Sequence, residues 1–248
     1  MEHDVFISNL VILTQKVDEA VAKAILGQSK LSPEVLALEG MSSHGIRHLL
    51  NNVCELVGGN YLEIGSWRGS TFISALYKNA DVKALSIDHH EEFVNHEQFK
   101  TTADMLLDNC KRMLIHNEQY QLVTADCFKV EIDPAWKFNI YLYDGYHSYE
   151  CQYQAISKYY KHLTDMFIYI CDDFSCYNIE DATRAAFRDM NIEVISEHKM
   201  YGYQNVNVCR KEGFWNGYYI AVCVKRMSFP LFYGHDSAGK KVNIHRFS

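Results

Sequence analysis

The sequence predicts an α/β fold: one open, mostly parallel sheet with helices between its strands and a helical extension ahead of it. Short apolar runs of strand length alternate with amphipathic runs of helix length from Tyr61 to Val224, the pattern of β-α-β units with right-handed crossovers. The first strand runs into a glycine-bracketed turn and then a helix, Tyr61 to Leu76. Acids recur at successive strand ends: Glu63, Asp88, Asp126, Asp144, Asp172 and Asp173.

The 248 residues are 48% apolar, enough to bury a sizeable core. A net charge of −7 and the lack of a long basic run argue against nucleic acid as the main partner. The start, Met1-Glu-His-Asp, lacks the basic opening of a secretory signal, and no apolar run approaches the roughly 18 residues of a membrane span. A cytoplasmic protein with no membrane partner is expected. The eight cysteines are scattered without a C-x-x-C, and several, such as Cys54, Cys171, Cys209 and Cys223, sit in apolar runs. They read as reduced, buried thiols rather than a disulfide framework or a zinc site.

Taken in order, Val5 to Leu26 places Phe6, Leu10, Leu13, Val17, Val21, Ala24 and Ile25 near one helical face, and Gly27 ends it. Ser32-Pro33 is an N-cap and first residue for a short helix, Glu34 to Glu39. Gly40 to Ser43 breaks the chain, and Ile46 to Leu56 forms a helix ending at Gly58-Gly59. These helices suit a lid, a homo-oligomer surface or plain packing on the sheet, and composition does not choose. The expected division is 1–58 as extension, 59–226 as core and 227–248 as tail.

After the opening strand come strands at Val82–Ile87, Gln121–Thr124, Phe138–Tyr143 and Phe167–Cys171. Helices are expected at Phe99–Leu114, Tyr149–Leu163 and Ile179–Met190. Glu193–Ser196 and Tyr218–Val224 close the sheet without a clear helix between them, which suits an antiparallel pair.

The turn from Gly65 to Gly69 is not the G-x-G-x-x-G dinucleotide fingerprint, because Ser66, Trp67 and Arg68 separate its glycines. A strand, glycine turn and helix bring backbone N–H groups to a ligand, and Ser66 and Ser70 add hydroxyls. An ordinary strand-to-helix turn is the plainer alternative. In an open α/β sheet ligands bind beyond the carboxyl ends of the strands. There Asp88 is placed to accept from ribose hydroxyls. In Ala125-Asp126-Cys127-Phe128, Asp126 is placed to accept from an adenine amino group, with Phe128 near the ring. Helix capping is the alternative for either acid.

In Asp144-Gly-Tyr-His-Ser-Tyr-Glu150, the first acid ends a buried strand. With strands about 4.8 Å apart, Asp144 approaches Asp172 and Asp173 if those strands are neighbours. Clustered carboxylates repel, and a hard divalent cation such as Mg²⁺ relieves the repulsion. The alternative is one acid capping a helix and another facing solvent. His147, three residues after Asp144, suits a general base, or a hydrogen-bonded surface role.

Glu63-Ile-Gly-Ser, Ser86-Ile-Asp88, Ala125-Asp-Cys-Phe128, Asp144-Gly-Tyr-His147 and Asp172-Asp-Phe174 together resemble the class I S-adenosylmethionine-dependent methyltransferases. Within them, the sequence is most similar to the metal-dependent sugar and macrolide O-methyltransferases related to macrocin O-methyltransferase and the cephalosporin-hydroxylase-like proteins. The resemblance runs from about Met41 to Val224 and departs from the usual glycine loop at Trp67-Arg68. It implies a Rossmann-like sandwich with seven strands, one of them antiparallel. It also implies that Glu63, Gly65, Ser66, Trp67, Gly69, Ser70, Asp88, Asp126, Cys127, Phe128 and Asp144 contact S-adenosylmethionine. Asp144, Asp172 and Asp173 would bind the cation, and His147 would deprotonate the acceptor hydroxyl. The acceptor expected is a carbohydrate or small molecule, with contacts from Met200–Trp215 and from the tail Phe229–Ser248. A phenol-directed O-methyltransferase shares the cation and cofactor; a nicotinamide oxidoreductase would share the sheet and the ribose acid.

Overall fold

The computed structural model describes residues 2–91, 101–114, 117–176, 178–201, 213–214, 216–226, 233–235 and 241–243. Its main sheet comprises β1 (Gly59–Ile64), β2 (Val82–Asp88), β3 (Tyr120–Thr124), β4 (Phe138–Tyr143), β5 (Leu163–Cys171), β6 (Ile192–Met200) and β7 (Tyr218–Lys225). Their order is β3-β2-β1-β4-β5-β7-β6. The first five run parallel, and β7 is antiparallel to both its neighbours. The sheet is therefore the mostly parallel, seven-stranded α/β sheet expected, with one reversed strand. The order turns around between β1 and β4, which opens a crevice at the carboxyl ends of those strands.

Both faces are covered, which is why the central strands read as near-continuous apolar runs. On one face, α1 (Glu2–Ile25), α3 (His44–Val57), α4 (Ser70–Leu76) and α5 (Thr102–Met113) bury Val17, Leu49, Phe72 and Leu106 with Tyr61, Leu142, Ile170 and Ile220. On the other, α6 (Tyr149–Tyr159) and α7 (Ile179–Asp189) bury Ile156 and Phe187 with Leu62, Tyr141 and Tyr169. The helix starts are locally encoded. Ser32 precedes α2 (Pro33–Leu36) and accepts from the Val35 N–H, Ser43 and Ser148 cap α3 and α6, and Thr101 with Asp104 forms a capping box on α5.

Several bounds differ from the sequence reading. The helix expected to reach Leu163 ends at Tyr159. A single 3-10 turn follows, and Leu163 already opens β5, paired with Phe138. β6 continues past Ser196 to Met200, because β7 supplies backbone partners as far as the Met200–Tyr218 pair. As an edge strand it tolerates Glu197, His198 and Lys199, which hid it from an apolar reading. Of the roles open to the first helices, packing is what the described residues display: α1 buries Leu10, Val17, Ala20, Val21 and Ala24 in the core of the sheet. Part of the helix expected from Phe99 lies outside the described residues, as do most of Met200–Trp215 and of the tail. Of the tail, β8 (Tyr233–His235) and β9 (Lys241–Asn243) form a separate antiparallel pair. Among the described residues, no helix is long and apolar enough to cross a membrane.

Candidate functional site

A cavity of about 690 Å³ opens at the carboxyl ends of β1, β2, β4 and β5. A larger cleft, about 1210 Å³, lies behind α4 between α2 and α5, away from the strand-end acids. Volume does not decide between them; convergent polar groups do, and they converge in the smaller one.

Its floor is the exit of β1. Gly65 has φ +87°, and a Cβ there would stand 1.9 Å from the Asp144 carbonyl oxygen. Only glycine lets the β1 and β4 exits pass this closely. The Gly65 N–H donates to Ile87 O, and the Asp144 N–H to Ile64 O, which locks three strand ends together. The Ser86 hydroxyl donates to Ser66 Oγ at 2.6 Å. Trp67 takes φ +45°, a costly conformation for a bulky residue. Two contacts hold it there: its N–H donates to Asp88 Oδ2 at 2.7 Å, and the Arg68 guanidinium lies 4.3 Å from its ring centroid. Gly69, at φ +88°, starts α4.

Ser66, Trp67, Ser70 and Gly65 line the cavity, together with Asp88, Asp126, Cys127, Phe128, Asp144, His147, Asp172 and Asp173. Two of the anticipated cofactor contacts do not reach it. Gly69 sits under Leu106, and Glu63 is fully buried behind the turn, accepting from Thr71 Oγ1 at 2.6 Å and from the Tyr61 hydroxyl. Burial pushes the Glu63 carboxyl up to about 7, against the pull of those two donors. Glu63 thus fastens β1 to α4 beneath the loop that faces the cavity.

Asp88 accepts from two backbone N–H groups, Trp67 on Oδ2 and His90 on Oδ1, each at 2.7 Å. Asp126 accepts from the Phe128 N–H at 2.8 Å and pairs with Lys129 at 2.9 Å, and the lysine then the amide hold its carboxyl below the usual range. Burial pushes the neighbouring Cys127 thiol up to about 12, so it stays protonated. His89 lines the cavity, whereas His90 turns inward to Thr102.

The other side of the rim is built differently. Asp144 and Asp172 stand side by side at the ends of paired strands, and both carboxyls are raised well above the ordinary value. Burial is the first cause; the next is charge, from Asp172 on Asp144 and from Asp173 on Asp172. Asp172 Oδ1 is buried with no hydrogen-bond partner. Asp173 has φ +53°, a turn that lets two consecutive acids both face the cavity. His147 Nε2 stands 3.4 Å from Asp173 Oδ2 and 3.7 Å from Asp144 Oδ1. Among the described residues, no three His, Cys, Asp or Glu side chains form a ready-made metal-ligand set. The donor chemistry nevertheless fits a hard cation: three clustered acids, of which Asp144 and Asp172 resist ionisation, and Asp172 has a buried oxygen with no hydrogen-bond partner among the described residues.

Met41, Ser42, Thr71 and Asn216 also line the cavity and were not anticipated. The first two come from the break before α3, which Arg47 clamps in place. Its buried guanidinium donates to Leu36 O, Leu38 O and Ser42 Oγ at 2.8–3.0 Å. Arg47 shares this buried stretch of α3 with His48, Asn51 and Asn52, so no break in an apolar face marked it in the sequence. Of the tyrosines, Tyr146 lines the cavity, 65% exposed, while Tyr143 is buried and Tyr153 bonds Asp189.

No family model matches the sequence, and no curated protein matches it. Solved structures do match the fold. A protein provisionally described as an RNA methyltransferase of Pyrococcus horikoshii superposes with a TM-score of 0.51 at 11% identity, over 85% of this chain and 98% of the other. A Podospora anserina methyltransferase solved with S-adenosylhomocysteine gives 0.51 at 11% identity, over 82% and 86%. At such identity the likeness is one of fold: the Rossmann-like sandwich of the class I methyltransferases.

Proposed function

We propose that the protein is an S-adenosylmethionine-dependent O-methyltransferase acting on a hydroxyl of a sugar or glycosylated small molecule, related to the metal-dependent sugar and macrolide enzymes. What carries this reading is one cavity holding both a glycine turn with its ribose-type acid and, across it, the Asp144–His147–Asp173 group.

The turn residues Gly65, Ser66, Trp67 and Ser70 receive the amino-acid end of the cofactor. Asp88 accepts from the ribose, Asp126 from the adenine amino group, and Cys127 with Phe128 packs beside the ring. Glu63, through Thr71, holds the turn rather than the ligand. Asp144, Asp172 and Asp173 are the residues to hold a divalent cation, Mg²⁺ by donor type. When bound, the two groups supply an electrophilic sulfonium methyl and a lowered pKa at the acceptor hydroxyl. His147 takes the hydroxyl proton at Nε2, and Asp173, 3.4 Å away, stabilises the imidazolium that results. Trp67, Phe128 and Tyr146 border the reacting space and limit water.

Labelled S-adenosylmethionine incubated with neutral glycosides, and with catechols for the phenol-directed alternative, tests the reading. Label should enter a glycoside with wild type, fall on chelation, and fall by roughly 10²–10⁴ in His147→Ala. Undiminished transfer in both treatments contradicts it, and transfer to catechols alone moves the acceptor class.

A further inference from the structure

Polar side chains lie at the ends of four neighbouring strands on one face of the sheet, buried except for the half-buried Asp144. The register sets Ile64 opposite Tyr143, Tyr143 opposite Cys171, and Cys171 opposite Tyr219. One residue beyond these pairs on β4, β5 and β7 stand Asp144, Asp172 and Tyr218. The pleat turns them to the same side as Leu142, Ile170 and Ile220, and Glu63 on β1 shares that side with Tyr61. Within this row Glu63 is satisfied by Tyr61 and Thr71, and Asp144 has His147 Nε2 at 3.7 Å.

Two atoms are left over. Tyr218 is 1% exposed, and its hydroxyl has no hydrogen-bond partner among the described residues; neither has the buried Asp172 Oδ1. The β5–β7 register sets the Tyr218 phenol beside Asp172 at the end of β5. A donor without an acceptor and an acceptor without a donor, on adjacent strands, call for one shared partner.

We propose that Tyr218 is a positioning residue for the carboxylate cluster: its hydroxyl donates to one ordered water, and that water donates to Asp172 Oδ1. The link fixes the rotamer of Asp172 where its other oxygen faces Asp144 and the cavity. Tyr218 does not line the cavity, so it acts through Asp172 and not on a ligand. The link stands on the geometry alone; its effect on cation binding rests on the proposed function.

The test has two readouts. A crystal structure of the full chain should place one water within hydrogen-bond distance of both Tyr218 Oη and Asp172 Oδ1, and Tyr218→Phe should lose it. No shared water in the wild type, or a direct Tyr218–Asp172 hydrogen bond, overturns the proposal. In parallel, Mn²⁺ titration followed by electron paramagnetic resonance should show affinity falling about 10-fold or more in Tyr218→Phe. S-adenosylhomocysteine affinity should stay within about 2-fold, and Tyr61→Phe, which removes another buried hydroxyl from the row, should leave Mn²⁺ affinity unchanged. Equal Mn²⁺ affinity in wild type and Tyr218→Phe also overturns it. If the wild type takes up no Mn²⁺, the cation part of the proposed function fails, and the shared water alone decides the role of Tyr218.

Discussion

Carboxylates at the two halves of the sheet rim live under opposite conditions. At the ends of β2 and β3, Asp88 and Asp126 are met by backbone N–H groups, and Lys129 adds its charge to Asp126. These acids are already aimed, with lone pairs to spare for hydroxyl or amino donors. At the ends of β4 and β5, Asp144 and Asp172 resist ionisation, and one buried oxygen has no hydrogen-bond partner among the described residues. On the proposed reading, the first half receives the adenosine end of the cofactor. The second is a group of acids that His147 meets at 3.4–3.7 Å. On the proposed reading, the contrast separates holding a cofactor from activating an acceptor within a single cavity.

Joining the halves is the contact that breaks most. Gly65→Ala drives a Cβ into the Asp144 carbonyl and should cost more than about 4 kcal/mol in denaturant unfolding, with both binding functions lost. His147→Ala comes next, with the loss of turnover given above and S-adenosylhomocysteine affinity within about 3-fold, because the base belongs to the second half only.

Glu63 lies beneath both halves, and its effect is on stability. Its folded-state pKa, about 7, exceeds the ordinary 4.5. Its stabilisation is therefore full below pH 4.5 and is lost as pH rises to about 7, with a ceiling of about 3 kcal/mol. Glu63→Gln should gain that much relative to wild type between pH 4.5 and pH 8 in parallel unfolding curves, and a difference constant with pH would refute the shift. The smallest effect sharpens the division of labour. Asp88→Ala should weaken S-adenosylhomocysteine by about 10–100-fold, roughly 1.4–2.7 kcal/mol, and leave Mn²⁺ uptake unchanged, whereas Asp172→Asn should do the reverse. Equal losses of both ligands in either variant would merge the two halves into one network.

Much of this was legible in the chain because local chemistry sets it. Capping residues, the glycine turn and buried apolar runs placed most of the elements, and acids at strand ends converge once a parallel sheet forms. What stayed hidden depends on partners remote in sequence. The length of β6 follows from β7, not from its own polar residues. Glu63 looked like a ligand contact, but its side of the strand faces Thr71 on α4 and Tyr61 on its own strand. The wall made by Met41 and Ser42 needs Arg47 to gather carbonyls across the α2–α3 connection, which no local pattern announces. Tyr218 joined the row of acids only through the antiparallel register of β7.

Calorimetric titration of the full chain with S-adenosylhomocysteine, run beside NADH, is the most direct test of the cavity's purpose. Saturable binding of S-adenosylhomocysteine, with one molecule per chain, is predicted; it should weaken in Asp88→Ala and persist in His147→Ala, with no response to NADH. Binding of NADH in its place, or no binding of S-adenosylhomocysteine at all, would contradict a methyl donor seated against Gly65 and Asp88.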